Sequence, residues 1–327
     1  MDRVTDRVTD EVRRLARAVL YEGYLLWPYR QSALKNQQRW TIGGVHPEPY
    51  GRAHDGNAWV MRTECLLEDG AVREGGVAVD VSVRFLHVVA CEGLPGVGGR
   101  RFVPREEAVE REVAVCGLGL DVLLREPYRI EIDVPAGRET GELDGGGVLR
   151  SWQALRGHAE VSARRLRPGI VRLTVRVVNT TPWNGEVRAE AMRHTLVSAH
   201  TVLQVAGGEF VSLMDPPEEL RMLAEGCRNV GAWPVLVGED GDRHTMLSAP
   251  IILYDHPRIA PESPGDLFDA TEIDQLLTLS VLALGEEEKR EIRDGDPRGR
   301  EILDRCASLT AEQLMRLHGI LREEPAS

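Results

Sequence analysis

The stretch IVRLTVRVVN, residues 170–179, decides the fold. Val171, Leu173, Val175 and Val177 alternate with Arg172, Thr174 and Arg176. One apolar face and one polar face at period two describe a half-buried strand of an antiparallel sheet. YRIEIDV, residues 128–134, repeats the pattern, with Ile130, Ile132 and Val134 against Arg129, Glu131 and Asp133. GGVAVDVSVRFLHVVACE (75–92) and EREVAVCGLG (110–119) are valine-rich, and these two and WVMRTECLLE (59–68) are bounded by glycine, as strands are. GELDGGG (141–147) and RPG (167–169) have the composition of hairpin turns. TLVSAHTVLQVAGGEFVSLMDPP (195–217) reads as one more hairpin, folded at Gly207-Gly208. So many strands with so few intervening helices predict an α+β protein. Its core is an antiparallel β-sandwich or a curved β-sheet, with an N-terminal helix and a C-terminal helical region.

The flanks read differently. Val4, Val8, Val12, Leu15 and Val19 give residues 2–20 one apolar helical stripe. After it, Tyr21 to Tyr50 gathers four tyrosines with Trp27 and Trp40 around the donor-rich run from Arg30 to Arg39. Pro28 ends or kinks the preceding helix. Past Pro216-Pro217, EELRMLAEGCRN predicts a short helix with Leu220, Leu223 and Ala224 inward. Extended chain follows, turning at Glu239 to Asp242, and the last sixty or so residues are helical, with Ile273 to Leu284 as their apolar face. The expected segments are 1–56 (helix and aromatic stretch), 57–215 (β core) and 216–327 (short helix, loop and C-terminal helices packed on the core).

Composition narrows the function classes. A net charge of −12 opposes generic binding to nucleic acid or to anionic lipid, both of which need basic surface. No apolar run approaches the roughly 20 residues of a membrane span, so no membrane insertion is expected. The charged N-terminus lacks an apolar signal core, and five dispersed cysteines form no CxxC pair. Both features predict a cytoplasmic, reduced protein.

Motifs that carry chemistry are scarce. GLPGVGGRR (93–101) lacks the Lys-Ser/Thr of a phosphate loop. No HExxH, CxxC or CxxH occurs, so neither metal nor cofactor is expected. His194 and His200 fall on one face of a regular strand, about 20 Å apart, too far to share an ion. Asp255-His256, with Glu262 downstream, offers an acid/base pair. The competing account is a capped loop whose Asp and Ser bond nearby backbone N–H groups. Cys227 becomes a thiolate only with basic help from Arg221 or Arg228, and otherwise is a structural thiol.

Several strings together carry a resemblance. They are YLLWPYRQSALKNQQRW (24–40), VVNTTPW (177–183), FVSLMDPPEEL (210–220), SAPIILYDHPRIAPESPGDLFDATEID (248–274) and LTLSVLAL (277–284). They resemble an uncharacterised actinobacterial family encoded beside nickel–iron hydrogenase genes. The resemblance supplies no catalytic residues. It implies a role in making, assembling or supporting a hydrogenase, with a hydrogenase subunit or maturation factor as the protein partner. Histidine-rich tails, paired CxxC motifs and a GTPase loop are missing, which favours binding over metal delivery. The expectation is therefore a non-catalytic accessory protein that docks through Tyr29, Arg30, Lys35, Arg39 and Trp40. An enzyme with a pocket on a β-sandwich, using Asp255 and His256, is the alternative, and a homo-oligomer is a third option.

Overall fold

The computed structural model describes residues 12–20, 43–70, 76–94, 105–143, 146–257, 289–290 and 303–304. By its contacts the chain divides into two units: Met1–Tyr24 with Trp40–Pro257, and Leu25–Arg39 with Arg258–Ser327. In the second unit the described residues are the helical pairs 289–290 and 303–304, with Leu303 buried. The Tyr29 to Trp40 run, Glu262 and the apolar face from Ile273 to Leu284 lie outside the described residues.

The described residues of the first unit form twelve antiparallel strands. They are β1 (Val60–Glu68), β2 (Ala78–Gly93), β3 (Arg105–Gly119), β4 (Tyr128–Val134), β5 (Gly137–Leu143), β6 (Gly146–Trp152), β7 (Leu155–Arg167), β8 (Ile170–Asn179), β9 (Val197–Ala206), β10 (Glu209–Val211), β11 (Trp233–Leu236) and β12 (Thr245–Ala249). One sheet runs β10-β1-β8-β7-β4. The other runs β11-β12-β9-β2-β6-β5, with β3 also paired to β2. The alternation read from 170–179 is the burial seen in β8: Val171, Leu173, Val175 and Val177 face inward. They share one core with Cys65 and Leu67 of β1, Val79 to Phe85 of β2 at alternate positions, and Leu203 of β9. Two sheets burying one face each against a common core make a sandwich. The strands continue past residue 215, because the β11–β12 hairpin extends the larger sheet through β9.

The turn at Gly207-Gly208 corrects the hairpin expected there. β9 pairs with β2 and β12 in the larger sheet, whereas β10 pairs with Leu66 to Glu68 of β1 in the smaller one. The two glycines therefore carry the chain from sheet to sheet. Gly207 has φ of 79°, and a Cβ there would stand 2.5 Å from the Gly76 carbonyl oxygen. One on Gly208 would stand 2.7 Å from that of Glu68. A side chain fits neither position.

Helix α1 (residues 12–20) buries Val12, Leu15, Ala16 and Val19, and its Leu20 joins Leu86, Val88, Met192 and Val197 on the outer face of the larger sheet. The Arg17–Glu110 ion pair, at 2.8 Å, ties this helix to β3. Two further short helices are α2 (Glu48–Ala53) and α3 (Leu120–Leu123). Helix α4 (Arg188–Met192) precedes β9. His194 therefore lies in the turn after α4 and not on the strand with His200. Ser198, fully buried, has φ of 52°, and the β2–β9 register shifts between Arg84 and Leu86 opposite it. A bulge thus breaks the regular strand that the six-residue interval assumed. Among the described residues no helix is long and apolar enough to cross a membrane.

Candidate functional site

Asp255 lies where two of the distinctive strings meet. Its Oδ2 accepts the Ser212 hydroxyl at 2.5 Å, and its Oδ1 accepts the Leu236 N–H at 2.8 Å. Ser212 Oγ in turn accepts the N–H groups of Met214 (3.1 Å) and Asp215 (2.9 Å). His256 donates its backbone N–H to the Leu236 carbonyl at 2.7 Å from a left-handed conformation, φ 54°. FVSLMDPPEEL and SAPIILYDHP are therefore knotted together across the end of β11. Leu236 points its N–H and C=O away from β12, and the knot satisfies both. Pro234, on the same edge, has no N–H to offer. The open edge of β11 is thereby closed to further strands. A general acid or base exchanges its proton with a substrate, whereas both oxygens of Asp255 engage the protein's own donors. Among the described residues the buried His256 Nδ1 finds no hydrogen-bond partner.

Around the knot the surface is apolar. Tyr254 is 80% exposed, Ile252 76%, Met214 46% and Trp233 44%. Trp233 pairs across to Ala249, three residues before Ile252, and Met214 hangs from Ser212. Nearby, the 3-10 turn η1 (Glu218–Leu220) leads into helix α5 (Arg221–Glu225), which carries Met222, 79% exposed. Leu220 and Ala224 from these two elements pack on Leu66 and Ile170, as the spacing of EELRMLAE requires. Large exposed apolar groups brought together in this way mark contact surfaces.

Beneath η1 and α5 lies a buried carboxylate on β1. Glu64 is 3% exposed. It accepts the Arg228 N–H at 2.7 Å, takes an ion pair from Arg62, and has Arg172 at 3.8 Å, while its own N–H donates to Asn229 Oδ1 at 2.7 Å. The network fastens the 226–230 segment over the smaller sheet. Cys227 belongs to it. Burial pushes this thiol up to about 11, and Arg172 lowers it too little to matter, so the thiol stays protonated at neutral pH.

A second polar cluster closes one end of the sandwich. Asn179, fully buried, donates to the carbonyls of Val45 (2.8 Å) and His194 (2.7 Å) and accepts the Thr181 N–H (2.9 Å). Tyr50 stacks on His54 at 4.2 Å, and Trp183 stacks on His194 at 5.4 Å. The string VVNTTPW is thus a structural lock for β8. Burial lowers the pKa of His46, His87 and His194, and among the described residues at least one ring nitrogen of each finds no hydrogen-bond partner. Among the described residues no group of three or more His, Cys, Asp or Glu is placed to hold a metal ion.

Of the residues singled out in the sequence, the structure brings Asp255 and His256 together at the β11 edge. Glu262, Tyr29, Arg30, Lys35, Arg39 and Trp40 lie outside the described residues. The exposed group at Met214, Trp233, Ile252 and Tyr254 escaped the sequence reading. Its signal was apolar residues at alternate positions of a proline-bounded, strandless stretch. No protein-family model and no curated protein matches the chain.

Proposed function

We propose that this chain is a non-catalytic accessory protein that works by binding another polypeptide within a nickel–iron hydrogenase system. The observation that carries the binding part is the exposed apolar surface held in place by the Asp255 knot. Four large side chains are exposed, Ile252 and Tyr254 on the stretch after β12, Met214 after β10 and Trp233 on β11, on segments tied by five hydrogen bonds. An ordered surface loses little conformational entropy on docking, so its apolar contacts translate into affinity. The hydrogenase part rests on the resemblance of the five strings, two of which build this surface. The run from Arg30 to Arg39, with Tyr29 and Trp40, is proposed as a further contact.

The test is co-purification of the tagged chain from its native host. Wild type is compared with an Ile252→Ser/Tyr254→Ser variant and with Arg30, Lys35 and Arg39 changed to Ala. Recovery of an identified hydrogenase subunit or maturation factor with wild type, and its loss from the first variant, is the expected result. Failure to recover any such protein withdraws the hydrogenase assignment. Equal recovery with both variants removes both surfaces from the reading.

A further inference from the structure

The rim of the knotted surface says what chemistry its partner must have, and this inference rests on the binding reading above. Between Ser212 and Pro257 the chain carries eight carboxylates against three arginines. Two of those arginines are taken internally: Arg221 pairs with Glu218 at 2.7 Å, and Arg243 pairs with Glu68 and, at 3.0 Å, with Glu209. Asp215, Glu219 and Glu239 are exposed. Asp215 is hung on the knot through Ser212, Glu239 lies three residues beyond Leu236 in the β11–β12 turn, and Glu219 lies in η1, just before Met222. Exposed carboxylates therefore adjoin the exposed apolar residues along the chain, with Arg167 of β7 reaching the Glu219 carbonyl at 3.3 Å. Interfaces commonly combine the two, an apolar core within a polar rim.

We infer that this surface takes a polypeptide segment in which lysine or arginine flanks apolar anchors. Opposite charge across a rim steers the encounter and fixes register, while the apolar anchors supply affinity. A second copy presenting the same face would set carboxylate against carboxylate, because a two-fold pairing brings a patch onto itself. An anionic lipid surface is repelled for the same reason. Strand addition is closed off by Pro234 and by the Asp255-His256 cap on Leu236, so side chains carry the recognition.

The experiment uses the full chain and a fluorescently labelled, lysine-rich amphipathic peptide, with a counterpart in which every lysine is glutamate. The basic peptide is expected to bind at least about tenfold more tightly than the acidic one, and its affinity to fall as salt rises. Ile252→Ser/Tyr254→Ser is expected to weaken it by about tenfold or more. Asp215→Asn/Glu219→Gln/Glu239→Gln is expected to flatten the salt dependence without changing the melting temperature. Equal binding of the two peptides, or binding of the basic peptide that ignores Ile252 and Tyr254, overturns the inference. Self-association that buries Tyr254 overturns it in favour of a second copy. A host protein held through Ile252 and Tyr254 yet indifferent to salt overturns the partner chemistry alone and leaves the binding reading standing. Loss of neither host protein nor peptide from the Ile252→Ser/Tyr254→Ser variant overturns both.

Discussion

His87 and His200 should make this protein acid-labile in a defined window. Both rings are fully buried. Burial pushes the pKa of each down to about 4, from about 6.5 in an unfolded chain. Arg111 and His194 add to the shift at His87, and the backbone of Gln153 opposes it. Arg84 adds to it at His200, and the Ser198 carbonyl opposes it. The folded state therefore binds fewer protons than the unfolded state between pH 6.5 and pH 4. Stability is full above about 6.5 and falls with pH through that window. At about pH 4.5 each imidazole has removed about 2.5 kcal/mol, or about 5 kcal/mol for the two, a large share of a typical domain's stability. The assay is urea unfolding of wild type and of a His87→Phe/His200→Phe variant at neutral pH and at about pH 4.5. Paired carboxylates weaken both proteins alike, so the two losses should differ by about 5 kcal/mol, with wild type losing more. Equal losses would mean that the two rings titrate as they do in solvent, and the burial argument would fail.

Glu64→Ala should cost about 3–5 kcal/mol, because Arg62, Arg172 and the Arg228 N–H lose a buried counter-charge; a melting point within a degree or so of wild type would show the network to be dispensable. Ser198→Gly should stay within about 1 kcal/mol of wild type, relief of the left-handed backbone offsetting the lost 3.4 Å bond to the Val19 carbonyl, whereas Ser198→Val should cost about 2 kcal/mol or more by thermal melting. Asp255→Ala strands the Ser212 hydroxyl and the Leu236 N–H, so it should cost about 1–3 kcal/mol and speed amide exchange at Leu236.

Period-two alternation in 128–134 and 170–179 was enough to specify β4 and β8, because a strand with one wet face has no other way to hide its valines. The RPG turn was legible for a related reason: its residues set local backbone angles. EELRMLAE was legible as a helix through its spacing. All of these are short-range facts. The Gly207-Gly208 crossing was not legible, since a sheet switch and a hairpin make the same local demand for glycine. The competing carbonyls belong to Gly76 and Glu68, more than a hundred residues away in the chain.

The same division runs through the candidate site. Sequence alone determined an acidic, β-rich chain and marked Asp255 as either a loop cap or an acid/base group. Tertiary structure decided between hydrogen-bond partners by bringing Ser212 and Leu236 to that carboxylate. It buried Glu64, a charged residue, by laying residues 226–230 across it. It also left Ile252 and Tyr254 in solvent, though their apolar character alone would have placed them in the core. Alternation reports which face of a strand a residue occupies. What covers that face depends on segments distant in the chain, and burial, hydrogen-bond partners and charge environment are set there.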